Sequence, residues 1–597
     1  MHEASFLAWR AEARHHGGVP MKKRTTWART VALLLTLGLA AAACGDDGGS
    51  SDAAIGSTGS TGGSASTAAL TPQKGGSITV SMFSETRGLD PAASSGSGTA
   101  GGTELSQIYD TLVRWNPDTR SYDMRTAASV TSNATGSEWT IKLKSGIKFR
   151  DGSAYDAEAL RFNFERNMTT VNSSTSRAWL NYVVGDSKNV TVVDPLTVKV
   201  VLKVADAGFP ALLAHSPGML VSPTALKALG DPTAADYKAK YDAFNLKPTG
   251  AGAGAFEVES FTKGESLVLK RSTSWYGGEA YLDTIKFVVL SSDKGVDGLK
   301  TGTVNVAFLR TPVSVANSKA EKATGGIDNV IQAGDLLLVN QGTKLTCKDA
   351  KPAPLCTGQP DGQITTKPAT ANPLVRAAVA AAIDPAVINT RVNDGKALPT
   401  TALFQKDFSD TPGVEGIKAD PAAAKKLLDQ AKAAGFDGKI RVLCTNQPER
   451  VALAQTLETQ LKAVGFDVTA RSDLDTAAQI TEIVTNKDYD IACWGLSVPN
   501  DETAPLSLVQ NFWSASPNNR VGYANPEWDA GLNVLLGARD ATARKAAYKT
   551  MADLWNKDVP SVVFNAVIER IAYQNKVHGV YANESSMFYL DKAWIEK

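Results

Sequence analysis

The chain has 597 residues, 43% of them hydrophobic and 21% charged, enough apolar content for several packed domains. Lys and Arg number 62 against 61 Asp and Glu, which excludes the basic excess of a general nucleic-acid binder. No heptad pattern, fixed-period repeat or zinc-finger spacing runs through it.

In chain order, residues 1–20 precede a better start at Met21 and are set aside. Lys22, Lys23, Arg24 and Arg29 form a positive patch, Val31–Ala43 is an apolar run of 13 residues, and Cys44-Gly45-Asp46 follows. A charged n-region, a short apolar h-region and small residues before a cut site make a secretory signal peptide over 1–44. The run is short for the ~20 residues of a bilayer span. Small residues ending at a Cys resemble a bacterial lipobox, which implies that Cys44 is acylated; Ala41 stands where that motif usually has Leu. A short membrane anchor or a plainly cleaved signal is the alternative. Residues 45–74 are dominated by Gly, Ser, Thr, Ala and Asp, the composition of a flexible tether.

Beyond Cys44 the cysteines are an even set, Cys347, Cys356, Cys444 and Cys493, which in an oxidising compartment reads as two disulfides, with free buried thiols as the alternative. Cys347 and Cys356 flank a Pro-rich loop that a bridge would close.

The globular part starts near Gly75. Ser77–Phe83 reads as a strand, and Ile108–Val113 reads as helical. Trp139, Ile141 and Leu143 alternate with polar residues as a half-buried strand, and Ile147 and Phe149 continue as strand. Asp156 caps a helix whose Leu160, Phe164 and Met168 share one face. Asp194-Pro195 turns a hairpin between 190–193 and 197–202, and further strands follow at 267–270 and 285–290. The segment 75–325 is therefore mixed α+β. Later the pattern changes: after a helix capped by Asp420 and Pro421, strand 439–444, helix 449–464, strand 466–471, helix 474–485 and strand 489–494 make a parallel β-α-β-α-β unit. In the doubly wound order its first strand lies between the other two, which sets Cys444 beside Cys493 and predicts a bridge between them.

Ligands of open α/β sheets bind at the carboxyl ends of strands. Those ends lead here into Thr445 and Asn446 and into Trp494, Gly495, Ser497, Asn500 and Asp501, an aromatic and neutral polar groups suited to stacking and hydrogen bonding. The bland alternative for Trp494 is core filling. The loop after the first strand, with Glu85 and Thr86, is the natural opposing wall. No catalytic set is found: His215 and His578 are isolated, and HExxH, Walker and G-x-S-x-G motifs are absent. Gly250–Gly254 lacks the Lys-Ser/Thr of a phosphate loop and leads into a strand, so it is not one. Neither a metal nor a cofactor is expected.

The stretch WTIKLKSGIKFRDGSAYDAEALRFNFER, residues 139–166, resembles the signature of the extracellular solute-binding proteins of peptide- and nickel-type ABC importers. Gly75–Val80 with Leu89-Asp90-Pro91, Tyr109–Val113, VVDPLTVKVVL at 192–202, AGAFEVESFTKGESLVLKR at 253–271 and Tyr523–Pro526 are similar to its other blocks, in the same order. The resemblance implies a two-lobed, class II periplasmic-binding-protein-like α/β fold. Lobe I would be 75–325 with an accessory subdomain at about 106–245, lobe II 326–562, and 563–597 a return to lobe I. It implies a monomeric, non-enzymatic receptor, lipid-anchored on the extracytoplasmic face of the cell membrane. That receptor would close on a small solute and deliver it to ABC permease subunits, with no nucleic-acid partner. A ligand sensor or adhesin on the same fold, or an exported enzyme, are the alternatives. Peptide binders carry an acid three positions after the cleft Trp; here that position is Ser497, with Asp501 further on, able to substitute only if the loop shifts. The basic residue that some carry upstream corresponds to Ile491. A buried amine without a carboxylate is costly, which weighs against ordinary peptides, and the scarcity of His weighs against nickel.

Overall fold

The computed structural model of the protein describes residues 70–94, 96, 98, 99, 101–169, 175–348 and 353–597. The signal segment, Cys44 and most of the tether lie outside the described residues. No helix among the described residues is long and apolar enough to cross a membrane.

One mixed sheet organises the molecule. Its main strands, in chain order, are β1 (Ser77–Met82), β2 (Phe256–Thr262), β3 (Ser266–Arg271), β4 (Thr284–Val289), β5 (Val306–Leu309), β6 (Thr324–Val339), β7 (Lys439–Thr445), β8 (Asp467–Leu474), β9 (Ile491–Gly495) and β10 (Ser561–Gln574). Across the sheet they run β8-β7-β9-β6-β10-β5-β1-β4-β3-β2. The two longest, β6 and β10, pair antiparallel in the middle and belong to both halves. At one end β10 pairs with β5, and at the other β6 pairs with β9, so these strands carry the chain between lobes. The ladder shifts register between Ile331 and Asp335, where Ala333 takes a left-handed φ of 49°. An L-residue there is under strain, and a bulge of this kind bends its strand.

Each half buries its own apolar face. In lobe I, Ile78 and Val80 of β1, Leu269, Ile285 and Phe308 pack with Ile571 of β10. In lobe II, Ile440 and Val442 of β7, Ile491 and Val562 pack against Leu453, Leu457 and Leu461 of helix Pro448–Ala463. That helix starts at Pro448, where a missing N–H costs nothing, and the preceding helix is capped by Asp420, whose carboxylate accepts from the N–H groups of Ala422 and Ala423. The expected strand order holds: β7 lies between β8 and β9, both parallel to it. Cys444 and Cys493 are disulfide-bonded at a Cα separation of 4.9 Å, and Cys347 is bonded to Cys356 at 5.4 Å.

The accessory sheet is made of Ala127–Ser132, Glu138–Leu143, Thr197–Val201 and Val190–Asp194. Helix Ala157–Thr169 lies beside it, and Asp156 accepts from the N–H of Ala159 at 2.9 Å as the sequence predicts. Two expectations fail. The helix expected at 108–113 is Gly102–Tyr109, and Val113 already begins a strand. Ile147 and Phe149 lie outside any named strand, with only a bridge from Lys148 to Ala154.

Arg150 of the signature stretch explains the glycines at 250–254. Its guanidinium donates to the carbonyls of Ile108 (3.1 Å), Gly254 (2.7 Å) and Phe256. The 250–256 chain is thereby pressed so close to the helix Gly102–Tyr109 that a Cβ on Gly254 would sit 2.4 Å from the carbonyl oxygen of Gln107. These glycines serve backbone packing, as the rejection of a phosphate loop requires. The C-terminal segment returns to lobe I: Gln107 accepts from the N–H of Leu590 at 3.0 Å, and Arg125 bridges Asp110 and Asp591 at 2.9 and 3.0 Å.

Candidate functional site

A cavity of about 530 Å³ lies between the accessory subdomain and lobe II. From the accessory side it is lined by Trp115, Arg120, Trp139 and Asp206, and from lobe II by Ser409, Asp501, Glu502 and Tyr548. Around it the two bodies touch. The Trp179 indole donates to the carbonyl of Leu506 at 2.9 Å, the Tyr182 hydroxyl to Asn533 at 2.8 Å, and the N–H of Ala207 to the carbonyl of Leu536 at 2.8 Å. The chamber is thus framed by contacts that exist only with the two walls together.

Its floor is acidic. Asp206 is 1% exposed; one carboxylate oxygen accepts from the N–H of Gly208 at 2.8 Å, and the other has no hydrogen-bond partner among the described residues. Burial pushes its pKa up to about 7, with a smaller push from Glu502. Burial likewise raises Asp501 and Glu502 and takes Glu584 up to about 7. His215, buried near Asp501, is pushed down by the same cause.

The sequence-predicted residues fall in several places. Asp501 lines the chamber. Asn500 ties its rim: its side chain accepts from the N–H of Ser409 at 2.8 Å and donates to Glu584 at 3.2 Å. Trp494 is half-buried at the end of β9, its ring 5.1 Å from the guanidinium of Arg520. Burial lowers the Arg520 pKa, and the charge of Arg87, on the loop after β1, lowers it further. Gly495 pairs with Asp335, and a Cβ there would meet Arg310 at 3.2 Å. Glu85 and Thr86 line a separate cavity of about 250 Å³ with Glu104, whose pKa burial raises to about 7. Ser497 is exposed, Asn446 is exposed, and the buried Thr445 hydroxyl has no partner among the described residues; none of the three lines either cavity.

Asp206, Trp115, Arg120, Tyr548 and Arg520 escaped sequence reasoning. They come from one hairpin (Trp115 and Arg120), two loops (Asp206 and Arg520) and a helix (Tyr548), and form no motif. The one local signal was Asp206-Ala207-Gly208, a turn in which a carboxylate caps the N–H two residues on.

Comparison with known proteins decides the family. The sequence model described as Bacterial extracellular solute-binding proteins, family 5 Middle, matches residues 122–520. The chain belongs to that family. This solute-binding protein is 26% identical over 482 residues to the glutathione-binding protein GsiB of Salmonella paratyphi A, covering 78% of this chain and 85% of the relative. In fold it is similar to the periplasmic binding protein DppA of Helicobacter pylori in complex with the peptide STSA: 20% identity, TM-score 0.71, 88% of this chain and 99% of that one. It is also similar to the oligopeptide-binding protein AppA of Bacillus subtilis in complex with a nonapeptide: 19% identity, TM-score 0.70, 88% and 100% covered. The expected two-lobed α/β architecture holds. The protein is an extracellular solute-binding protein.

Proposed function

We propose that this solute-binding protein closes its lobes on a small, peptide-like organic solute in the chamber and hands it to the permease subunits of its importer. It acts as a monomeric binding protein, without turnover, held at the extracytoplasmic membrane face by an acylated Cys44. The observation that carries the reading is the chamber itself. Its volume suits a small organic ligand, and its walls come from both the accessory subdomain and lobe II. A solute that touches both walls binds the closed form better than the open one, so binding shifts the population toward closure. Reaching 99:1 from 1:99 takes about 5.5 kcal/mol of that preference. The relatives that bind glutathione and peptides support a solute built from amino acids.

The test is native mass spectrometry of the mature chain purified from its own host, with small-angle scattering before and after solute removal. A retained small molecule and a more compact loaded form are expected. A chain that retains nothing and never becomes more compact refutes the proposal.

A further inference from the structure

We propose that the chamber selects an organic cation: a solute whose ammonium or guanidinium group sits among Asp206, Asp501 and Glu502, its carbon skeleton against Trp115 and Tyr548. This rests on the chamber being the solute site.

The argument is a charge balance. Three cations also border the chamber, and each is committed. Arg544 donates to Asp410 at 2.8 Å. Arg539 spends its donors on the carbonyls of Asn133 and Ala134 and the hydroxyl of Ser132. Arg120 lies 3.6 Å from Glu584, donates to Ser409 at 3.0 Å and covers the Trp115 ring. None is ion-paired with Asp206, Asp501 or Glu502. Asp501 accepts from the N–H and hydroxyl of Thr503, and Glu502 from the Tyr122 hydroxyl, all neutral donors; Arg120 acts on both, His215 on Asp501 and Arg544 on Glu502 without pairing, and burial still raises both carboxyls. Asp206 keeps an oxygen with no donor among the described residues, nine-tenths buried and more, on the wall of a cavity of about 530 Å³. A buried carboxylate without a counter-charge is costly, and a cation entering here removes that cost.

The carboxylates do not form a metal cage: among the described residues no group of three His, Cys, Asp or Glu is placed to hold an ion. The counter-charge must therefore be an extended one. Trp115, Trp139 and Tyr548 offer the aromatic surface that organic cations favour. The position differs from Ser497, where the peptide binders' acid would stand; the accessory subdomain supplies one of the three carboxylates instead.

Proton linkage gives a signature that a merely structural role would not. A cation beside Asp206 favours its ionised form, so binding at pH 7 releases protons; a neutral solute would leave them and an anion would draw more in. Asp206 is faced by Asp501 and Glu502 from the loop after β9, by Tyr122 from the accessory side and by Arg539 from the helix connection, with Arg120, Glu584, His215, Asp410, Arg544 and Tyr548 as further titratable groups around the chamber.

The experiment identifies the retained solute by native mass spectrometry, then titrates it into the wild-type mature chain, Asp206→Asn and Glu502→Gln by calorimetry in two buffers of different ionisation enthalpy. The expected result is a solute with a protonated nitrogen, proton release on binding to the wild type at pH 7, and at least tenfold weaker binding to each variant. A retained neutral or anionic solute overturns the inference while leaving the transport reading standing, and so does wild-type affinity in both variants. A chain that retains nothing and never compacts overturns both.

Discussion

Asp206→Asn is predicted to stabilise the ligand-free protein while spoiling its binding. The folded pKa of Asp206 is raised from its ordinary 3.8 to about 7 by burial. A group raised on folding gives stability that is fully present below the unfolded value and is lost as pH rises through the folded one. Each unit corresponds to about 1.4 kcal/mol, so the ionised side chain costs roughly 4 kcal/mol at pH 8 and under ~1 kcal/mol at pH 4. Asparagine has no such cost and keeps the acceptor used by the N–H of Gly208. Its amide lacks a partner where the free oxygen was, which takes back about 1–2 kcal/mol. A net gain of about 2–3 kcal/mol is therefore expected at pH 8, shrinking or reversing at pH 4. The assay is urea denaturation followed by circular dichroism, comparing midpoints at both pH values with solute removed. A variant no more stable than wild type at pH 8 would refute the claim that this carboxylate sits uncompensated.

Trp494→Ala should leave solute affinity within about twofold and the fold intact, since the half-buried ring lies beside Arg520 and not on the chamber wall; a tenfold loss in calorimetry would extend the site to β9. Cys444→Ser should leave the fold assembled but lower stability by about 2–4 kcal/mol, because the bridge closes a loop between neighbouring strands; an unreduced digest of the wild type should show the 444–493 linked peptide, and free thiols at both positions would contradict it. Asp110→Ala should cost about 3 kcal/mol, because Arg125 is buried against both Asp110 and Asp591 and loses one of them; thermal melts within 1 °C of wild type would contradict that account.

The sheet was largely legible because its strands carry their own evidence: alternating apolar residues in the first half, and caps and glycine stops spacing the β7–β9 unit in the second. The helix at 102–109 was missed at its start because Gly101 and Gly102 argue against a helix by propensity. Gly101 is required for a tertiary reason: φ is 94°, and a Cβ would lie 2.5 Å from the Thr86 hydroxyl. Asp501, on the chamber wall, was readable from its place after a strand end. Asp206 was not, since its meaning comes from burial against a distant loop rather than from any neighbour in sequence. Thr445, Asn446 and Ser497 show the converse: residues beside a strand end, where a generic rule puts ligands, that line neither cavity.

The long ladder of β6 and β10, interrupted near Ala333, sets how this receptor can be tuned. With no loop to swing about, opening must wind or unwind two paired strands like a torsion bar, and the kink at Ala333 is where the bar is softest. The work of that twist enters every dissociation constant. Substitutions there can retune affinity for every cargo by a common factor, leaving the order of preference among cargoes to the chamber walls.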